Sequence, residues 1–93
     1  MRVKQSIKRR LIQAINDADC ETIADIFEEL GNELFNWIHD HSDSWHETDA
    51  AYEWDSRLSD LEEYSEHYRE NTLVMKNHLL KEKKIPRTEW ILK

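Results

Sequence analysis

The chain has little that turns, crosslinks or spans a membrane. Its 93 residues include one glycine, one proline and one cysteine, where ordinary usage is ~7% Gly and ~5% Pro. With so few places to turn, long helices joined by short connections are expected. This length also leaves no room for two cores, so residues 1–93 are read as a single helical domain. Cys20 is alone and cannot close an internal disulfide, which points to a reducing, cytoplasmic setting. No run of ~18 apolar residues exists, so no membrane partner is expected. The first ten residues are basic, but Gln13, Asn16 and Asp17 break the apolar stretch that a secretory signal needs. A single glycine excludes phosphate-cradling loops, and no His-Glu-x-x-His is present. No nucleophile–His–acid set can be assembled either. The expectation is a protein that is not an enzyme, with no catalytic residue and no cofactor.

What is present is helical periodicity. Val3, Ile7, Leu11, Ala14, Ile15 and Ala18 fall three or four apart and predict a basic helix over 1–18. Asp17 or Asp19 predicts the cap of a second helix, Asp19 having Thr22 at the third helical position, and that helix carries Ile23, Phe27, Leu30, Leu34 and Ile38. Gly31 interrupts that run: either it ends one helix with Asn32 capping the next, or it sits inside one helix at a cost of ~1 kcal/mol, and a break or bend is the favoured reading. Residues 39–47 show no periodicity and read as the main loop. Ser44 with Glu47, or Thr48 itself, supplies the next helix start. Ala51, Trp54, Leu58, Leu61, Ser65, Tyr68, Thr72, Met75 and Leu79 then alternate at spacings of three and four. This is a heptad-type seam, and it predicts one long helix over about 48–83. Unbroken, that helix would run roughly 54 Å, more than a globule of ~13 Å radius of gyration can hold comfortably. It must bend near Asn71, protrude, or pack its seam (Ala51, Trp54, Leu58, Leu61, Tyr68, Met75, Leu79) against a second copy. Ser65 and Thr72 mark a kink or a close crossing. Ile85 before Pro86 ends the helix, leaving a short basic tail over 85–93 anchored by Trp90, Ile91 and Leu92. The predicted fold class is all-α, a small bundle of three to four helices, with a dimer as the alternative.

Charge is strongly segregated. Residues 11–75 contain eighteen acids and only two bases, Arg57 and Arg69, a net charge of −16 inside a chain whose total is −7. Residues 1–10 hold five Lys/Arg and no acid, and residues 76–93 hold six Lys/Arg against Glu82 and Glu89. Acids near helix starts and lysines near helix ends are accounted for by the helix dipole. Two features are not. Asp60/Glu63, Glu62/Glu66, Glu63/Glu66 and Glu66/Glu70 repeat like charges at neighbour spacing, each costing a few tenths of a kcal/mol. Glu53–Arg57 and Glu66–Arg69 relieve part of this. Arg2, Lys4, Lys8, Arg9 and Arg10 sit at a helix start, where the dipole opposes them, so they require acids on an adjacent helix or an external anion.

Glu53, Asp60, Glu63 and Glu70 share one stripe, and Asp55, Glu62 and Glu66 lie on a neighbouring one. Two rows of carboxylates along a rod resemble the phosphate rows of a nucleic-acid strand. Asp25, Glu28, Glu29 and Glu33 make a secondary acidic patch. Such a surface suits a basic protein partner, and association would be fast and salt-sensitive. It would repel nucleic acid from the acidic body.

Other constellations are weaker. His39, Asp40, His41, Asp43, His46, Glu47 and Asp49 crowd eleven residues, and His39, His41 and His46 are candidate metal ligands. His39 and His41 are only two apart, however, and the ordinary reading is a polar loop. Trp37, Trp45 and Trp54 bracket that loop and are read as lids on the core. His67 and His78 are read as isolated surface residues. Cys20 is read as a small buried apolar residue, because acids at 17, 19 and 21 oppose thiolate formation. The basic first ten residues could meet nucleic acid or an anionic membrane surface, or pair with the chain's own acids. Ile85-Pro86 followed by Trp90, in an apolar and basic ending, resembles over about ten residues the tail of the Hha family of small helical nucleoid modulators.

The functional expectation is an acidic helical protein that binds and inhibits a basic, nucleic-acid-handling enzyme or regulator, in the manner of the DNA-mimic inhibitors of phages and mobile elements. The alternatives are an immunity or antitoxin protein neutralising one basic toxin, and a self-assembling, coiled-coil-like module, a homodimer, in which the seam is the function.

Overall fold

Helix α1 (Gln5–Asn16) buries Ile7, Leu11, Ala14 and Ile15 along one side. In the computed structural model, which describes residues 2–45, 49–85 and 89–92 and the side chains of all these except 41–45 and 49–51, α1 is followed by α2 (Cys20–Trp45), α3 (Asp49–Glu70), α4 (Thr72–Glu82) and a single turn, α5 (Glu89–Leu92). No strand occurs among the described residues. The all-α expectation holds, with the basic tail supplying an extra short helix.

The turn between α1 and α2 is tight. Ala18 takes a left-handed backbone, φ 52°, and its N–H donates to the Ile15 carbonyl at 3.1 Å while that of Asp19 donates to Ala14 at 2.9 Å. Helix α1 therefore stops at Asn16, short of the expected 18, and begins only at Gln5 because Lys4 is extended. Of the two candidate caps, Asp17 and Asp19, it is Asp19 that caps α2. Its carboxylate accepts from the Thr22 N–H at 3.2 Å and from the Thr22 hydroxyl at 2.6 Å. The Thr22 hydroxyl foremost, then its N–H, hold the Asp19 carboxyl below its ordinary range.

Two sequence expectations fail in α2. Gly31 neither breaks nor ends it, because the helix runs straight through. A mid-helix glycine costs ~1 kcal/mol, which is less than the burial of Phe27, Leu30 and Leu34 around it contributes. Residues 39–45 are not a loop but the last turns of α2. They lack apolar periodicity, yet they contain no proline or glycine, and their weak helix formers cost only tenths of a kcal/mol each. The remainder of the expected loop, 46–48, lies outside the described residues.

The heptad seam closes on α2 of the same chain. Leu61, Tyr68 and Leu79 are almost wholly buried, and Trp54, Leu58 and Met75 pack against the core beside them. The Ala51 side chain lies outside the described residues. Ser65 marks the close crossing, its hydroxyl donating to the Ala24 carbonyl at 3.0 Å. The long helix is interrupted at Asn71. There the Thr72 hydroxyl reaches back to the Tyr68 and Arg69 carbonyls, each at 3.2 Å, groups left bare where the ladder stops. The principal extents are 42 × 25 × 18 Å, so an unbroken helix of roughly 54 Å would overhang. The bend instead returns α4 to the start of α2, where the Cys20 thiol donates to the Thr72 carbonyl at 3.6 Å.

At the other end Trp37, Trp54 and Trp90 form a cluster. Trp37 and Trp54 lie 5.3 Å apart, and Trp54 and Trp90 meet edge-on at 5.8 Å. The Arg57 guanidinium stands 4.4 Å from the Trp54 ring and 5.0 Å from that of Trp90. With buried Ile85 and Ile91, these contacts anchor the C-terminal segment on the bundle.

Candidate protein-binding face

Two cations of the N-terminal segment, Lys4 and Arg10, reach α2. Because α1 packs along α2, Lys4 reaches Glu33 at 3.2 Å and Arg10 reaches Glu29 at 2.9 Å. This is the adjacent-helix compensation that the basic helix start requires. Arg69 reaches out of α3 to the same helix, bonding Asp25 at 2.7 Å as well as Glu28, with Glu28 foremost in raising its already high pKa. All four acids of the secondary patch, Asp25, Glu28, Glu29 and Glu33, are thereby in ion pairs. The expected Glu66–Arg69 pair is absent, because Arg69 serves α2 instead.

The α3 acids are treated differently. Glu53 is bonded by Arg57, one turn on, and Glu63 meets His67 at 3.4 Å. Asp60 is also engaged. Among the described residues no ion pair reaches Asp55, Glu62, Glu66 or Glu70, and all four are exposed. Successive spacings of seven, four and four keep them within one stripe of the helix surface. The bare stripe is thus Asp55, Glu62, Glu66 and Glu70, with Glu70 on the side of Glu62 and Glu66 rather than with Glu53 and Asp60.

Beside this stripe the α2–α3 seam opens into a cleft of about 310 Å³. Glu62, Glu66 and Glu70 line one wall, Glu28 and Asn32 the other, and Phe27, Gly31 and Ser65 complete the lining together with Arg69. Gly31 holds this place without steric need, since a Cβ there would meet only Leu58 Cδ1, at an ordinary 3.8 Å. The cleft was not legible in the sequence, because it depends on which sides of α2 and α3 oppose each other. Its one sequence signal is the single glycine.

The remaining candidates divide. Burial first, then Asp19, push the Cys20 thiol up, while Lys76 opposes them; buried as it is, Cys20 acts as a small core residue. His67 and His78 are not isolated. Both line a second cleft between α3 and α4, with Tyr64, Tyr68, Val74 and Met75, and the buried Nε2 of His78 has no hydrogen-bond partner. Burial foremost, with smaller contributions from Cys20 and Tyr64, raises the Tyr68 phenol to about 12. No group of three or more His, Cys, Asp or Glu able to hold a metal exists among the described residues. His46 and Glu47 lie outside them, as do the side chains of His41, Asp43, Trp45 and Asp49. No helix among the described residues is long and apolar enough to cross a membrane. Comparison with protein-family models, curated proteins and solved structures finds no match to this chain.

Proposed function

We propose that the chain binds a basic protein through the α3 stripe Asp55–Glu62–Glu66–Glu70 and the cleft beside it. One observation carries this reading: Lys4, Arg10 and Arg69 pair with the α2 acids, while among the described residues no cation reaches the exposed α3 stripe. Like charges at neighbour spacing cost stability wherever no counter-charge answers them. An external row of Lys or Arg would relieve that cost. A partner with cations spaced along a groove is the kind of surface that grips a nucleic-acid backbone. Inhibition of a nucleic-acid-handling protein by occupying that groove is the function proposed.

The test is capture from a cell lysate at low ionic strength, with wild-type chain and a Glu62→Gln/Glu66→Gln/Glu70→Gln variant as paired baits. The wild type should retain a basic protein that elutes as salt rises and that duplex DNA displaces; the variant should lose it at least tenfold. Equal retention by both baits, or retention insensitive to salt, would sink the reading.

A further inference from the structure

Two aromatic side chains stand in solvent at one end of the α3 stripe. Phe35 is 56% exposed and Tyr52 68%. Every other aromatic residue with a described side chain is buried or packs against the core. A lone apolar residue on a surface is ordinary, but these two are placed by the stripe itself. Tyr52 precedes Asp55 by three positions and heads the line Asp55–Ser59–Glu62–Glu66 at spacings of three and four, so it shares that stripe. Phe35 comes one turn after Gly31 and Asn32, which line the cleft. At ~100° per residue its direction falls between those of Gly31 and Glu28, another lining residue. Helices α2 and α3 run antiparallel, with Gly31 beside Leu58 and Trp37 against Trp54, which sets Phe35 level with Asp55. The face that no cation reaches therefore carries two exposed rings next to its carboxylates.

The spacing of the charges points the same way. Glu62, Glu66 and Glu70 follow one another every four residues, about 6 Å along the helix axis. A strand of duplex DNA carries a phosphate every ~3.4 Å, so this row is too sparse for a stacked duplex and suits an extended strand. Proteins that hold such strands combine a cationic groove for the backbone with side chains on which the bases stack. Carboxylates beside exposed rings offer both halves of that ligand. Resting on the partner reading above, we infer that the basic partner is a protein that binds single-stranded nucleic acid. Its backbone-holding cations meet Asp55, Glu62, Glu66 and Glu70, and its base-stacking site takes Phe35 and Tyr52. A protein that reads duplex through its grooves meets base edges, not base faces, and has no slot for these rings. Nucleic acid itself is not the occupant, because the carboxylates would repel it.

Displacement from the immobilised full chain tests this. The chain is loaded with lysate at low ionic strength, and the bound basic protein is released with an oligothymidine of about 20 nucleotides or with a duplex of the same length. The single strand should release half of it at a concentration at least tenfold below that of the duplex. A Phe35→Ser/Tyr52→Ser bait should retain at least tenfold less, by the same factor at low and high salt, because stacking is not a charge effect. Phe35→Tyr/Tyr52→Phe, which keeps both rings, should retain it like wild type. The Glu62→Gln/Glu66→Gln/Glu70→Gln bait should instead lose the salt dependence. Both rings are exposed, so the fold should persist, which far-ultraviolet circular dichroism checks. A duplex that displaces as well as the single strand, or a serine variant that retains as much as wild type, would overturn the inference. The partner reading would then stand if the glutamine variant still loses the protein. A wild type that retains no basic protein, or a glutamine variant that retains as much as wild type, would overturn both.

Discussion

Helices α2 and α3 each carry a row of carboxylates, and the chain treats the two rows in opposite ways. On α2, Asp25, Glu28, Glu29 and Glu33 all meet a guanidinium or an ammonium: Asp25 and Glu28 through Arg69 of α3, Glu33 through Lys4 just before α1, and Glu29 through Arg10 of α1. On α3, Asp55, Glu62, Glu66 and Glu70 meet none among the described residues. The composition does not distinguish the rows. Topology does: α1 packs on α2, so Lys4 and Arg10 meet acids there, and Arg69 adds to the same helix. Within a segment of net charge −16, the α2 row has four acids answered by three cations and the α3 stripe has none, so the stripe retains the stronger long-range pull on a cation.

The comparison depends first on the core that holds the two rows apart. Leu61 is the deepest point where α3 meets α2, at 1% exposure. Leu61→Ala should destabilise the fold by about 2–5 kcal/mol, lost packing and cavity together, read from urea unfolding. The loss should be the same at low and high protein concentration, because the seam is filled from within the chain. A loss that shrank as protein concentration rose would instead show the seam closing between copies.

The helices were legible in the sequence where apolar residues recur every three or four positions. Ile7–Leu11–Ala14 and Leu58–Leu61–Tyr68 both pack where that spacing places them. The Asp19 cap was legible because it is a local bond. What misled was local weakness mistaken for a break. Gly31 and residues 39–45 are poor helix formers, but neither stops a helix against favourable packing or without a proline. Asn71 does interrupt the helix, for the reason that length suggests. The site was half legible. Like-charge spacing along α3 singles out the stripe, yet the same spacing pairs Arg69 with Glu66 because both are on one helix. In the fold Arg69 turns to Asp25 and Glu28 across the interface, a choice that sequence spacing cannot rank. On α4 the seam spacing separated the buried side from the exposed one: Leu79 is buried and Met75 packs against the core, while Leu73, Val74 and Leu80, off the seam, are exposed.

Gly31 joins the two rows through the cleft, and its removal tests what the cleft is for. With room for a Cβ 3.8 Å from Leu58 and no positive φ, Gly31→Ala should stabilise the fold by about 0.5–1 kcal/mol, raising the urea midpoint with an unchanged slope. The same variant should weaken capture of the basic partner if its side chain enters the cleft. A destabilised variant would mean that the α2–α3 crossing is closer than described.

The smallest expected effect discriminates most sharply, because it needs no partner. Glu29→Gln removes a carboxylate from the paired row and breaks its pair with Arg10, so stability should fall by a few tenths of a kcal/mol, within the usual range for a half-exposed pair. Glu66→Gln removes an equal charge from the bare row. It deletes the repulsions with Glu62 and Glu70 and breaks no ion pair, so stability should rise by a similar amount. Both changes should shrink toward zero as salt is raised from about 10 mM to 1 M, since screening weakens attraction and repulsion alike. Opposite signs at low salt, measured side by side in urea, would establish that the α2 row is satisfied within the fold and the α3 row is not. Equal signs would mean that the two rows share one field, and a bare flank awaiting a cationic partner would lose its basis.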